Sequence, residues 1–237
     1  MTAATGLDDE PEPVNWGRVV GFLLALPVYF AVFLFWPAGT WTWATGWLFI
    51  LAFVGTLGVA AGILWRVNPA VLAARTSSPE GTKWWDKILL GVLFPAVYAI
   101  IPVAALDDGR FHWLSLPWWV CGIGYVLFLA GMGLVTWAEA VNKFFEVTVR
   151  IQAERGQRVI DTGPYAVVRH PGYVAGILLC VATALCLGAV WAMIPAGVAA
   201  AVLVVRTRRE DQTLQAELAG YRDYTQRVRS KLLPGVW

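Results

Sequence analysis

Gly163-Pro164-Tyr165-Ala166-Val167-Val168-Arg169-His170-Pro171-Gly172-Tyr173 runs directly into an apolar stretch at 174–187. A dense island of ring, cation and imidazole groups thus abuts a run without charge, in a chain that is 58% hydrophobic and only 14% charged. Similar apolar runs lie at about 17–36, 46–65, 88–106, 117–138 and 189–205, most of them near the ~20 residues that a helix needs to cross a bilayer. A soluble domain does not concentrate its charge into a few segments and leave long stretches bare. The chain therefore reads as all-α, a polytopic membrane helical bundle of about five to six spans. Tyr173 to Leu187 as a helix rises only ~22 Å against a hydrocarbon core of ~30 Å. The last two runs are accordingly expected to form a helical hairpin turning at Leu187-Gly188.

Lysine and arginine set the expected orientation, because cationic loops stay on the cytoplasmic side during insertion. Arg18 precedes the first run, and Arg66, Arg75, Lys83 and Lys87 fill the loop after the second. Lys143, Arg150, Arg155, Arg158 and Arg169 follow the fourth, others lie from Arg206 to Lys231, and of the 18 basic residues only Arg110 falls on the opposite side. The expectation is an integral, multi-pass protein with both termini and the polar island cytoplasmic. Trp16, Trp36, Trp47, Trp65, Trp84, Trp85, Trp118, Trp119 and Trp137 lie at or near the expected span ends, where an indole prefers headgroup depth.

Residues 1–15 are acidic and Pro-rich rather than basic then apolar, which predicts a disordered tail and no cleavable leader. Residues 16–138 then form a four-span membrane region and 139–237 a C-terminal region. Cys121, Cys180 and Cys186 fall inside apolar runs, with no pair spaced for a metal, and read as packing residues. His112 and His170 are expected on opposite sides, so no metal is assigned. The expected partners are the lipid bilayer and a small or lipophilic molecule, not nucleic acid.

Two segments carry most of the remaining charge, Glu139 to Tyr173 and Arg206 to Lys231. The first contains a loop of about thirty residues, longer than a simple connector requires. Arg169-His170-Pro171 admits two readings. In one, His170 caps the next helix, Pro171 takes the first helical position and Arg169 meets lipid phosphate. In the other, His170 and Tyr173, one turn on, point into a cofactor pocket at the helix N-terminus. Arg206 and Glu210 are four apart and share a helix face. They read either as an anchoring cation with an intrahelical partner, or as a guanidinium for an anionic acceptor beside a carboxylate for a cationic ligand. Beyond them Leu214, Leu218, Tyr221 and Val228 follow helical spacing. They predict an amphipathic C-terminal helix with a break at Gly220, either covering a site or lying on the membrane.

On these residues the chain resembles the isoprenylcysteine carboxyl methyltransferase family of integral membrane enzymes, which also includes phospholipid and small-thiol methyltransferases. The match is ordered: Gly163-Pro164-Tyr165, then Arg169-His170-Pro171-Gly172-Tyr173 with Gly176, an apolar hairpin, Arg206 with Glu210-Asp211, and Gly220-Tyr221-Arg222-Asp223-Tyr224 before Pro234. The first four runs match only in hydropathy. The resemblance implies an S-adenosylmethionine site built from the C-terminal half, unlike that of the soluble Rossmann methyltransferases, whose GxGxxG does not occur here. It implies cofactor contacts from Gln152, Gln157, Val159, Ile160, Tyr165, His170, Pro171, Gly172 and Tyr173. It makes Glu210 the carboxylate toward the cofactor and Arg206 the acceptor-side, catalytic arginine.

Methyl transfer from a sulfonium is an in-line displacement, so such an enzyme mainly aligns donor and acceptor and excludes water. A carboxylate or thiolate acceptor is already a nucleophile, whereas a neutral amine or thiol needs a base that the sequence does not single out. Two rival readings stand beside this one. A NADPH-dependent membrane reductase of the sterol-reductase-like type has a similar C-terminal arrangement, but no basic cluster dedicated to a 2′-phosphate is present. A non-catalytic membrane carrier would place ionisable groups near mid-membrane, where these spans hold almost none.

Overall fold

The computed structural model describes residues 16–75 and 81–237; the acidic head at 1–15 lies outside the described residues. Helix α1 is built from Trp16–Phe30, a π-helical turn Ala31–Phe35 and a last turn Trp36–Ala38. It is followed by α2 (Ala44–Val67), α3 (Pro69–Arg75) and α4 (Trp84–Ala104), which a second π-helical turn extends over Ala105–Phe111. Then come α5 (Trp118–Val141), α6 (Pro171–Cys186), α7 (Met193–Glu217) and α8 (Tyr221–Arg227). Lipid offers no partner to a free peptide group, so a spanning chain must satisfy its backbone internally, and helices do so. Among the described residues α2, α4 with its extension, and α5 are each long and apolar enough to cross a membrane. Pro27 and Pro102 sit shortly before the two π-helical turns, where a missing N–H loosens the ladder.

The hairpin expected at the end of the bundle is present, with altered limits. Helix α6 has 16 residues, about 24 Å of rise. It turns at Leu187 and Gly188, whose φ is +70° and whose N–H reaches the Leu185 carbonyl at 3.0 Å. The run predicted at 189–205 instead belongs to α7, which starts at Met193 and continues to Glu217. No Gly or Pro interrupts 206–217, and Arg206, Glu210, Asp211 and Glu217 find partners there, so the helix has no reason to stop where the apolar pattern does. The break expected at Gly220 is present, at φ +77°: the residues before it belong to the end of α7, and α8 folds back so that Tyr221, Tyr224 and Val228 pack with Val159, Leu214 and Leu218.

Helix α5 lies along α6 more closely than any other pair, while α7 packs on α4 and α6, and α2 on α5. The close approach depends on missing side chains. A Cβ on Gly124 would stand 2.6 Å from the Cys186 nitrogen, and one on Gly131 2.9 Å from Leu179 Cγ. Small residues allow such backbone contact in membrane bundles, where packing rather than water exclusion drives association. Phe49 of α2 meets Phe128 of α5 edge to face at 5.7 Å. Several predicted anchors, among them Trp36, Trp47, Trp65, Trp84, Trp118, Trp119 and Trp137, are exposed.

The two ends of the bundle differ in chemistry. At one, the Trp43 indole donates to Asp108 at 2.9 Å, Asp107 accepts the Trp191 N–H at 2.9 Å, and Leu116 N–H reaches Gly188 at 3.1 Å. Arg110 is at this end, next to Gly39. The other end gathers the C-termini of α2 and α5, where Asn68 donates to the Glu139 carbonyl at 2.6 Å, with the N-termini of α4 and α6 and the polar half of α7.

Candidate functional site

The loop from Asn142 to His170 is held by its own side chains. Gln152 donates to the Phe144 carbonyl at 2.7 Å, its side-chain oxygen accepts from Arg155 at 2.7 Å, and its backbone N–H donates to the side chain of Gln157 at 2.7 Å. Arg150 grips Glu146 through two bonds of 2.8 and 2.9 Å. Asn142 donates to the Tyr165 hydroxyl at 3.0 Å. The Gly163-Pro164 turn is a short 3₁₀ helix, Gly163–Ala166.

Asp211 is the hub that fastens this loop to α7. It is 1% exposed and accepts Arg169 bidentately at 2.8 and 3.1 Å. Gln215 donates to it at 2.8 Å and Tyr221 at 3.3 Å, and a ring nitrogen of His170 lies 3.4 Å away. Burial works to raise this carboxyl, but the hydrogen bonds and charges of His170 and Arg169 outweigh it and hold the group well below the ordinary carboxylate range. Arg169 also donates to the carbonyls of Val228 and Arg229 at 2.7 Å each. The backbone N–H groups of Arg169 and His170 bond Ser230 and Lys231 at 3.0 Å. Arg169 is therefore buried in protein and does not meet lipid phosphate. His170 precedes α6 but makes no side-chain cap, while Pro171 does take the first turn. The anchoring-and-capping reading of Arg169-His170 thus fails: both side chains are spent on Asp211.

A cavity of about 270 Å³ lies between the loop, the start of α6 and the polar half of α7. Gln152, Gln157, Val159, Ile160, Tyr165, His170, Pro171, Gly172, Tyr173, Arg206 and Glu210 all line it. The residues that the sequence singles out, spread over almost sixty positions, are thus brought together on one hollow. Their surroundings differ. The His170 and Tyr173 rings stack at 5.7 Å, and the Tyr173 hydroxyl donates to Glu210, whose carboxylate is 4.0 Å from His170 Nδ1. Gly172 lets Phe145 approach: a Cβ there would lie 2.7 Å from Phe145 Cε2. Burial pushes the Tyr221, Tyr224 and Tyr165 phenols up, the nearby Asp211 and Glu210 adding to the shift at Tyr221. Tyr224 accordingly serves as a donor, to the Tyr165 carbonyl at 2.6 Å.

Arg206 departs most from the sequence expectation. Its carboxylate partner is not Glu210, one turn away, but Asp86 of α4, at 2.6 and 3.0 Å. It also donates to the Val147 carbonyl and lies over the Tyr173 ring, 5.5 Å from its centroid. Asp86 is fully buried and accepts the Val149 N–H at 2.8 Å, so the N-terminal region contributes a residue that supports the cavity. Sequence reasoning passed over both Asp86 and Asp211 as site residues. A lone carboxylate at the mouth of an apolar span is the signal that marks Asp86; for Asp211, adjacency to Glu210 is the only local one. Among the described residues no group of three or more His, Cys, Asp or Glu is arranged to hold a metal ion.

Comparison with curated proteins finds no match. Residues 119–219, from the start of α5 through α7, match the model of the phospholipid methyltransferase family. The matched stretch contains every cavity residue singled out above. That stretch is similar to the phospholipid methyltransferases, a family of the isoprenylcysteine carboxyl methyltransferase superfamily of membrane methyltransferases.

Proposed function

We propose that the cavity binds S-adenosylmethionine and that the protein transfers its methyl group to a lipophilic or small membrane-accessible acceptor bearing a carboxylate, thiol or amine. The observation that carries this reading is the convergence of Gln152, Gln157, Val159, Ile160, Tyr165, His170, Pro171, Gly172, Tyr173, Arg206 and Glu210 on one hollow within the stretch that matches a methyltransferase family. The wall suits such a ligand. It combines a carboxylate, Glu210, with the aromatic faces of Phe144, Phe145, Tyr165 and Tyr173, a set suited to a cation with apolar and polar parts.

When bound, the cofactor supplies an electrophilic methyl group on a positively charged sulfur. Glu210, oriented by Tyr173, provides the negative charge that favours a cationic ligand. Gln152 and Gln157 act by shaping the loop, since their amides bond within it. Asp211 holds His170 in place from behind. Arg206 is the acceptor-side residue of this reading, with Nε and Nη2 fixed by Asp86 and Val147. In this reading the basic loops favour the cytoplasmic side for this end of the bundle, where a soluble cofactor has access. The test is equilibrium binding of labelled S-adenosylmethionine to the purified full chain, with His170→Ala and Glu210→Ala beside it. Saturable binding weakened by both substitutions supports the proposal; a wild-type chain that binds none overturns it.

A further inference from the structure

Among the described residues two buried side-chain oxygens lack a hydrogen-bond partner, Tyr125 Oη and Thr148 Oγ1. Thr148 lines the cavity and Tyr125 does not. Burying a hydroxyl without a partner is unfavourable, and folded proteins keep few such groups without a reason. The chain around Thr148 is also unusually well fixed. On one side the Val147 carbonyl accepts from Arg206. On the other, Val149 donates to Asp86 at 2.8 Å and accepts the Lys83 N–H at 3.1 Å. Both neighbouring residues are therefore tied to α4 and α7, so the backbone that carries the threonine is fixed in position. A pinned backbone, a hydroxyl without a protein partner and a place in the cavity wall together describe a group prepared for a ligand.

We propose that Thr148 Oγ1 hydrogen-bonds the methyl donor directly, with the Asp86–Arg206 pair acting as the brace that aims it. This rests on the reading of the cavity as an S-adenosylmethionine site. A threonine hydroxyl both donates and accepts, and the donor offers hydroxyl, amine, carboxylate and base-edge groups, whereas the hydrocarbon part of a lipophilic acceptor offers none.

Thr148→Val removes the hydroxyl at nearly constant shape, and Thr148→Ser keeps it. The experiment titrates S-adenosylmethionine and S-adenosylhomocysteine against the purified full-length wild type and both variants in the same detergent, and records thermal unfolding of each without ligand. Thr148→Val is expected to weaken binding of both molecules about three- to tenfold, the range of one hydrogen bond, and Thr148→Ser to stay within about twofold of wild type. Without ligand Thr148→Val should unfold at or above the wild-type temperature, because it no longer buries an unpaired hydroxyl. Unaltered binding by Thr148→Val, while the wild type binds normally, overturns this inference alone. A Thr148→Val chain that unfolds well below wild type overturns it too, since the hydroxyl is then a structural partner. Absence of binding by the wild type overturns it together with the reading on which it rests.

Discussion

Asp86 and Arg206, 120 positions apart, meet through two bonds, Nε to Oδ1 at 2.6 Å and Nη2 to Oδ2 at 3.0 Å. The pair joins the start of α4 to the middle of α7 and brings the loop with it, because Asp86 also accepts from Val149. Removing one member of a buried ion pair leaves an uncompensated charge and costs roughly 3–5 kcal/mol. Asp86→Ala is therefore expected to lower the unfolding temperature sharply and to abolish methyl transfer. The double variant Asp86→Leu/Arg206→Met should recover most of the stability, since apolar replacement of both partners is often neutral, without recovering activity. Thermal unfolding in detergent, read beside transfer of labelled methyl from S-adenosylmethionine to membrane lipid extract, checks both parts. An Asp86→Ala chain as stable as wild type would remove the brace from the account.

Glu210 and Tyr173 make the second prediction. The Tyr173 hydroxyl donates to Glu210, so Tyr173→Phe frees the carboxylate to turn, whereas Glu210→Gln removes the charge itself. A hydrogen bond to a charged group contributes about 1.5–3 kcal/mol. Binding of S-adenosylmethionine should fall at least about tenfold in Glu210→Gln and by a smaller factor in Tyr173→Phe. Titration of both variants decides it; equal affinities for wild type and Glu210→Gln would exclude Glu210 from the cofactor site.

Asp211 gives a prediction in pH. Its carboxyl lies below the ordinary range in the folded chain, burial being outweighed by His170 and Arg169. A depressed folded value means that the stabilisation is fully present above the unfolded value, about 3.9, and is lost as pH falls through the folded one. Asp211→Asn leaves the Arg169 guanidinium buried without its carboxylate, and should cost roughly 3 kcal/mol at neutral pH. The gap between wild type and variant should narrow in strong acid, as the wild-type carboxyl takes up its proton. A gap that stays the same down to strong acid would contradict the assignment.

Gly124 and Gly122 provide a packing control on one helix. A Cβ at Gly124 would stand 2.6 Å from the backbone nitrogen of Cys186, whereas nothing lies within 4 Å of one at Gly122. Overpacking against backbone costs about 1–3 kcal/mol. Gly124→Ala should therefore destabilise by at least that amount, and Gly122→Ala should leave the unfolding temperature within a degree or so of wild type. Unfolding curves of the two variants side by side test the close contact between α5 and α6.

Much of the architecture was legible before any contact was known. The apolar runs at 46–65, 88–106 and 117–138 lie, to within a residue, inside α2, α4 with its extension, and α5, because a helix exposed to lipid must be apolar over its whole crossing and the chain writes that locally. The turn at Leu187-Gly188 was readable from length alone. The end of α7 was not, since Arg206 to Glu217 looks like a cytoplasmic tail until Asp86, Tyr173, Arg169 and Lys83 are seen to receive its charges. The cavity's lining was legible as an ordered set of residues, from His170 to Glu210. What each side chain does there was not: Arg169 and Arg206 are both arginines beside apolar runs, and nothing local says that either is buried.

By itself the sequence determined a helical membrane bundle, the limits of most of its spans and the end at which its charge collects, and its resemblance to a family implied the residues that line one cavity. The first three follow from hydropathy, period and spacing, which act along the chain. Only the tertiary structure decided that Arg206 answers Asp86 and not Glu210, that Asp211 holds both Arg169 and His170, and that Thr148, in the cavity wall, stands between two anchored residues. A buried charge takes whichever opposite charge packing brings within reach, and that choice is made between helices, across distances in sequence over which no local pattern extends.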